Sequence, residues 1–99
     1  MGSKETPVED YFVERMRLAG GRTRKVKWIG RRGAPDRRAM HSRGRAWVEV
    51  KPDGEPLEPH QKREHKRLRA MGETVVTVTG RSGVDRFMVE LLRGDYGHG

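Results

Sequence analysis

Ala46-Trp47-Val48-Glu49-Val50-Lys51, AWVEVK, is the stretch on which the fold turns. Trp47, Val48 and Val50 favour a pleated, half-buried surface, so the run predicts a strand. Successive side chains on a strand point to opposite faces, which puts Val48 and Val50 on one side and Trp47, Glu49 and Lys51 on the other. One face is a core surface, and the other presents a carboxylate and an amine two residues apart.

Working outward, Ser42-Arg43-Gly44-Arg45 reads as a hairpin turn, and 36–41 as a short strand leading into it. GRRGAP at 30–35 is a turn by composition, and 22–29 alternates as a strand with Val26 and Trp28 sharing a face. Before these, Thr6-Pro7 opens a helix carrying Val8, Phe12, Val13 and Met16 at helical spacing, and Gly20-Gly21 stops it. On the other side, 52–59 reads as a loop. Residues 60–71 form a very polar helix with Leu68 and Met71 inside, closed by Gly72. TVVTVT at 74–79 is a β-branched strand, and Ser82, with Asp85 three residues on, caps a last helix that buries Val84, Phe87, Met88 and Leu91.

The resulting order is αβββαβα. Short links make the first three strands an antiparallel meander, and the intervening helix permits a parallel crossover to the fourth. The expectation is an α/β (α+β) fold with a small mixed sheet of about four strands flanked by helices. A single domain is expected over 1–99, with 1–5 and 95–99 as flexible ends.

With 99 residues, 32% apolar and 36% charged, the core is expected to be thin and help from a second subunit is in keeping with it. The absence of cysteine excludes a disulfide scaffold, thiolate chemistry and zinc–sulfur sites. No apolar run suits a membrane span or a signal peptide, so the expectation is an intracellular protein that does not associate with membranes. A net charge of +8 and a pI near 10.6 point to a polyanionic partner, because clustered cations gain affinity by releasing the counterions of a phosphate backbone.

Ten basic residues fall between 22 and 45, among them Lys27, Arg31, Arg32, Arg37 and Arg38, and a single carboxylate, Asp36, stands in their midst. A lone acid in such surroundings suits either a turn aspartate bonding its own backbone or a functional group. If the strands at 36 and 46 pair as a hairpin, Asp36 and Glu49 approach each other. Two adjacent carboxylates repel and raise each other's proton affinity, which a divalent cation relieves. Hard oxygen ligands suit Mg²⁺ or Mn²⁺, and Lys51 beside a metal-bound water can orient it or stabilise charge developing on phosphorus. That chemistry is phosphodiester hydrolysis. The plain alternative for Glu49 and Lys51 is a cross-strand ion pair on a solvated face.

The ordered set VEDYFVERMRLAGG (8–21), Lys27, GAPDR (33–37), WVEVK (47–51), His60-Gln61 and MGETVVTV (71–78) resembles the VRR-NUC domain, a branch of the PD-(D/E)xK nuclease superfamily. The resemblance covers most of the chain. It implies Asp36, Glu49, Lys51 and Gln61 as the catalytic set, and a metal held by Asp36, Glu49, the Val50 carbonyl and Glu9. Glu14 lies on the same helix as Glu9, and which of the two reaches a metal stays open. Lys27, Arg31, Arg32, Arg37, Arg38, Lys62 and Lys66 are the expected nucleic-acid contacts.

The function implied is a Mg²⁺-dependent DNA endonuclease, with Mn²⁺ as substitute and no other cofactor. Small standalone members are similar to homodimeric Holliday junction resolvases acting on branched DNA in the cytoplasm of bacteria or phage-infected cells. A basic DNA-binding module that does not cut, and a restriction-type or flap nuclease, are the competing readings. The four histidines lack zinc spacing and are expected at the surface, and Trp28 and Trp47 as core or interface residues.

Overall fold

Local chemistry sets the element ends. Thr6 accepts a hydrogen bond from the Glu9 N–H (3.1 Å), and Pro7 occupies the first turn, so helix α1 runs Pro7–Leu18. Strand β1 spans Arg22–Lys25, shorter than the expected 22–29. The Val26 N–H still donates to the Asp36 carbonyl (2.8 Å), but the next partner across the ladder is Pro35, which has no N–H to give. Strands β2 (Arg37–His41) and β3 (Gly44–Lys51) follow, then helix α2 (Pro59–Ala70), strand β4 (Val75–Thr79) and helix α3 (Gly80–Leu92). This computed structural model describes residues 6–97; the expected loose end at 1–5 and His98 lie outside the described residues.

The four strands stand in the order β1-β2-β3-β4, antiparallel through β3 and parallel between β3 and β4. The chain is thus a small mixed α+β fold of order αβββαβα, as expected. Ala46 and Val48 of β3 are fully buried against Phe12 and Met16 of α1 and Val84, Phe87, Met88 and Leu91 of α3. Phe12 meets Phe87 edge-on at 5.5 Å, and Tyr96, in the stretch expected to be a loose end, stacks on Phe87 at 5.0 Å. Helix α2 meets the opposite face through His65 and Glu49.

Three local expectations are corrected. Helix α3 begins at Gly80, straight out of β4, with Thr79 rather than Ser82 as its N-cap. Gly80 takes φ +66°, and a Cβ there would lie 2.0 Å from Asp53 Oδ1, so only glycine makes this turn. Asp85 accordingly serves α1 instead of a cap: it accepts from the Tyr11 hydroxyl (2.5 Å) and from Arg15. On α2, Met71 is 71% exposed, and the inward side is made by Glu64, His65 and Leu68. Among the described residues, no helix is long and apolar enough to cross a membrane.

Candidate active site

The β2–β3 register sets Arg37 opposite Val48, and one step further along the same hairpin faces Asp36 with Glu49. Asp36 sits immediately before β2, behind the buried Pro35. Burial first, and the negative charge of Glu49 second, push its pKa above the ordinary carboxylate value, against a smaller opposing pull from Lys25 and Arg37. Lys51, 9% exposed, shares the Glu49 side of β3 by alternation, and it forms no ion pair among the described residues.

The loop that delivers Asp36 is clamped to α2. Gly33 takes φ +88°, and a Cβ there would stand 2.5 Å from the His60 carbonyl oxygen and 3.1 Å from Gln61 Cα. Gln61 in turn accepts the Glu58 N–H through its side-chain oxygen (2.8 Å), forming the capping box of α2. In this structure Gln61 therefore organises the helix end on which the Asp36 loop rests.

Other expected site residues fall elsewhere. Glu9 meets Arg37 at 3.0 Å and Lys25 at 3.7 Å and does not join Asp36 and Glu49 in a metal-binding cluster. Arg37, expected to meet nucleic acid, is instead 5% exposed: alternation along β2 turns it inward beneath the sheet, onto Glu9. Glu14 pairs with Arg17 on the exposed side of α1. Arg38 lies over the Trp47 ring at 4.9 Å, and Lys62 and Lys66 stand exposed on α2. Lys27, Arg31 and Asp36 line a common cleft, with Arg32 exposed beside it. Val50 lies in β3 and packs partly against the core.

Sequence reasoning missed His65, expected at the surface and found fully buried. Its Nε2 lies 3.3 Å from Glu49 Oε1, yet neither ring nitrogen, nor that carboxylate oxygen, completes a hydrogen bond. The signal was there in the spacing. His65 follows Gln61 by four residues and precedes Leu68 by three, so all three share one helical face.

No family model matches the chain. The protein named "Putative nuclease p44" of Acyrthosiphon pisum secondary endosymbiont phage 1 is 40% identical over 76 residues, which is 76% of this chain and 82% of that protein. A solved structure described as a VRR-NUC domain matches with a TM-score of 0.74 and 37% identity, over 83% of this chain and 90% of the other. The chain belongs to the VRR-NUC nuclease family.

Within this VRR-NUC fold the residues present suit a hard divalent cation. Two carboxylates face each other, one with raised proton affinity and the other with a buried oxygen lacking a hydrogen bond. Among the described residues no three His, Asp or Glu side chains converge to hold an ion. The side chains thus offer an all-oxygen pair, and the remaining positions fall to main chain, water or phosphate, as Mg²⁺ tolerates.

Proposed function

We propose that this VRR-NUC chain hydrolyses phosphodiester bonds in DNA with Mg²⁺ or Mn²⁺, as a homodimer acting on branched substrates such as a four-way junction. The observation that carries this reading is Asp36 opposite Glu49 across the β2–β3 hairpin, with Lys51 on the same side of β3 as Glu49. The net charge of +8 supports DNA as the partner. Such a substrate is met in the cytoplasm of a bacterial or phage-infected cell.

Asp36 and Glu49 would hold the divalent ion, with the Val50 carbonyl as a further donor, and the ion would supply Lewis-acid chemistry there. The Lys51 amine orients the attacking water and stabilises negative charge on the phosphoryl oxygens. His65 is a positioning residue: its Nε2 lies 3.3 Å from Glu49 Oε1 without completing a hydrogen bond, so the buried ring fixes where that carboxylate stands. Gln61 supports the site from the end of α2, and Glu9 acts through Arg37 and Lys25. Lys27, Arg31, Arg32, Arg38, Lys62 and Lys66 are the phosphate contacts.

Two scissile strands need two centres, which a two-fold dimer supplies in matched orientation. Exposed Leu18, Met71, Val89 and Leu92 leave apolar surface for such a contact. Light scattering giving the mass of one protomer at working concentration would remove the dimer.

The test of activity is a labelled panel of four-way junction, flap, single-stranded and duplex DNA with Mg²⁺ or Mn²⁺. Asp36→Ala, Glu49→Ala and Lys51→Ala should each lose turnover by about a hundredfold or more while DNA affinity stays. Tight binding with every substrate left intact would make the chain a DNA-binding module that does not cut.

A further inference from the structure

Between the end of β1 and Asp36 lies a cleft of about 520 Å³ lined by Lys25, Val26, Lys27, Trp28, Arg31, Ala34 and Asp36. Its charged lining is three cations and one carboxylate, and that carboxylate is the candidate ion ligand. An anionic ligand in the cleft therefore reaches the reacting centre at one end. The indole of Trp28 is the aromatic surface inside it.

The platform is held in place before any ligand arrives. The Trp28 indole N–H donates to the Pro35 carbonyl at 2.7 Å, tying the ring to the residue next to Asp36. Trp47 packs against Trp28 at 4.8 Å with the rings tilted by 56°, and Arg38 backs Trp47 from 4.9 Å. Trp47 is itself tied to Glu73 through its indole N–H (3.1 Å). The loop's far end is clamped by Gly33 against α2. A ring fixed at this many points loses little freedom when something stacks on it. Beside it, Ile29 is 93% exposed, so the loop sets apolar side chains among Lys27, Arg31 and Arg32. Cations interleaved with an aromatic face are the makings of a site for an unpaired nucleotide, in which the backbone meets the cations and the base meets the ring.

We propose that this cleft takes an unpaired nucleotide adjoining the scissile phosphate, its base on Trp28 and its phosphates on Lys27 and Arg31. The inference rests on the nuclease reading above and narrows its substrate class. A base inside an intact duplex already has neighbours on both faces and pays a few kcal/mol to leave them, whereas an unpaired base at a flap, a single strand or an opened branch does not. The chain therefore prefers DNA with an unpaired nucleotide next to the cut over continuous duplex, and over junctions whose arms stay fully stacked.

The test places 2-aminopurine at successive positions through a flap and its branch, and in the matching intact duplex, with Ca²⁺ replacing Mg²⁺ so that the DNA stays whole. Wild-type protein should quench the probe at one or two unpaired positions beside the branch and not in the duplex, a readout that needs no variant. Trp28→Leu should abolish the quenching and raise KM for flapped DNA roughly tenfold. Its melting temperature reports folding, and Trp28→Phe, which keeps an aromatic face but lacks the N–H to Pro35, should restore the quenching and most of the KM.

Quenching that is absent or the same at every position overturns the proposal, as does intact duplex cleaved as well as flapped DNA. If Trp28→Leu folds and its KM is unmoved, the proposal also fails. Failure of the underlying reading looks different: position-dependent quenching with no cleavage in Mg²⁺ or Mn²⁺ keeps the nucleotide site and removes the nuclease. Cleavage of all substrates without quenching does the reverse.

Discussion

At Asp36 the fold and the chemistry pull in opposite directions. Burial and Glu49 raise its pKa, so the uncharged carboxyl suits the ion-free fold better than the carboxylate does. The stabilisation that protonation brings is present at low pH and is lost as pH rises from the ordinary value of 3.8 through the raised one. Asp36→Asn escapes this loss. In chelator at neutral pH it should melt above wild type, with the gap closing toward pH 4 and on adding Mn²⁺ to wild type. Thermal melts across pH check this. His65 gives a second residue-level outcome: His65→Phe should weaken Mn²⁺ binding by about 10–100-fold, and His65→Gln, which keeps a donor, should recover part of it. Titration calorimetry without DNA reads this apart from turnover. Asp36, Glu49 and Lys51 could be read from the sequence because strand alternation and one hairpin suffice to relate them. The burial of Arg37 could not, because it depends on which helix covers which face of the sheet, whereas that of His65 was signalled by its helical spacing from Leu68.

Among the elements, the Gly30–Asp36 loop matters most, because it ends the β1 ladder and seats Asp36 against α2. A methyl group at Gly33 meets the His60 carbonyl at 2.5 Å in a backbone conformation with φ +88°. Gly33→Ala should cost about 1–3 kcal/mol of stability, measured by urea unfolding. Turnover should fall further than stability explains at temperatures where the variant is folded, because the clash lies on the path to Asp36. The elements themselves were legible from the periods of their apolar residues, while their ends were not. β1 stops early because Pro35 stands across from it, and α3 starts early because Gly80 takes a positive φ beside Asp53. Both depend on a residue distant in the chain, which a local pattern does not contain.

Over the whole molecule, the apolar core lies on one side of the sheet and the candidate chemistry on the other, and β3 serves both. The core is as thin as the composition implied, with α1 and α3 forming one layer through Phe12, Met16, Phe87 and Leu91. The charge of +8 sets the ionic-strength response. Binding to duplex or flapped DNA should fall linearly in log K against log salt, and Lys27→Gln or Arg31→Gln should each reduce the slope by about 0.9, because one phosphate is then no longer neutralised. Anisotropy titrations over a salt series measure this, and an unchanged slope would place those residues off the DNA path. The overall charge, and so the expectation of a polyanionic partner, was plain from composition, whereas which cations stand beside Asp36 needed the loop's path in space.

The pairing of the first helix with the last has a consequence for synthesis. Tyr11 and Phe12 each have a partner in α3, Asp85 for the hydroxyl and Phe87 for the ring. A nascent chain halted on the ribosome before residue 80 leaves Phe12 and Met16 uncovered and the sheet without its supporting layer. The layer that supports β3 is thus complete only after the final helix emerges.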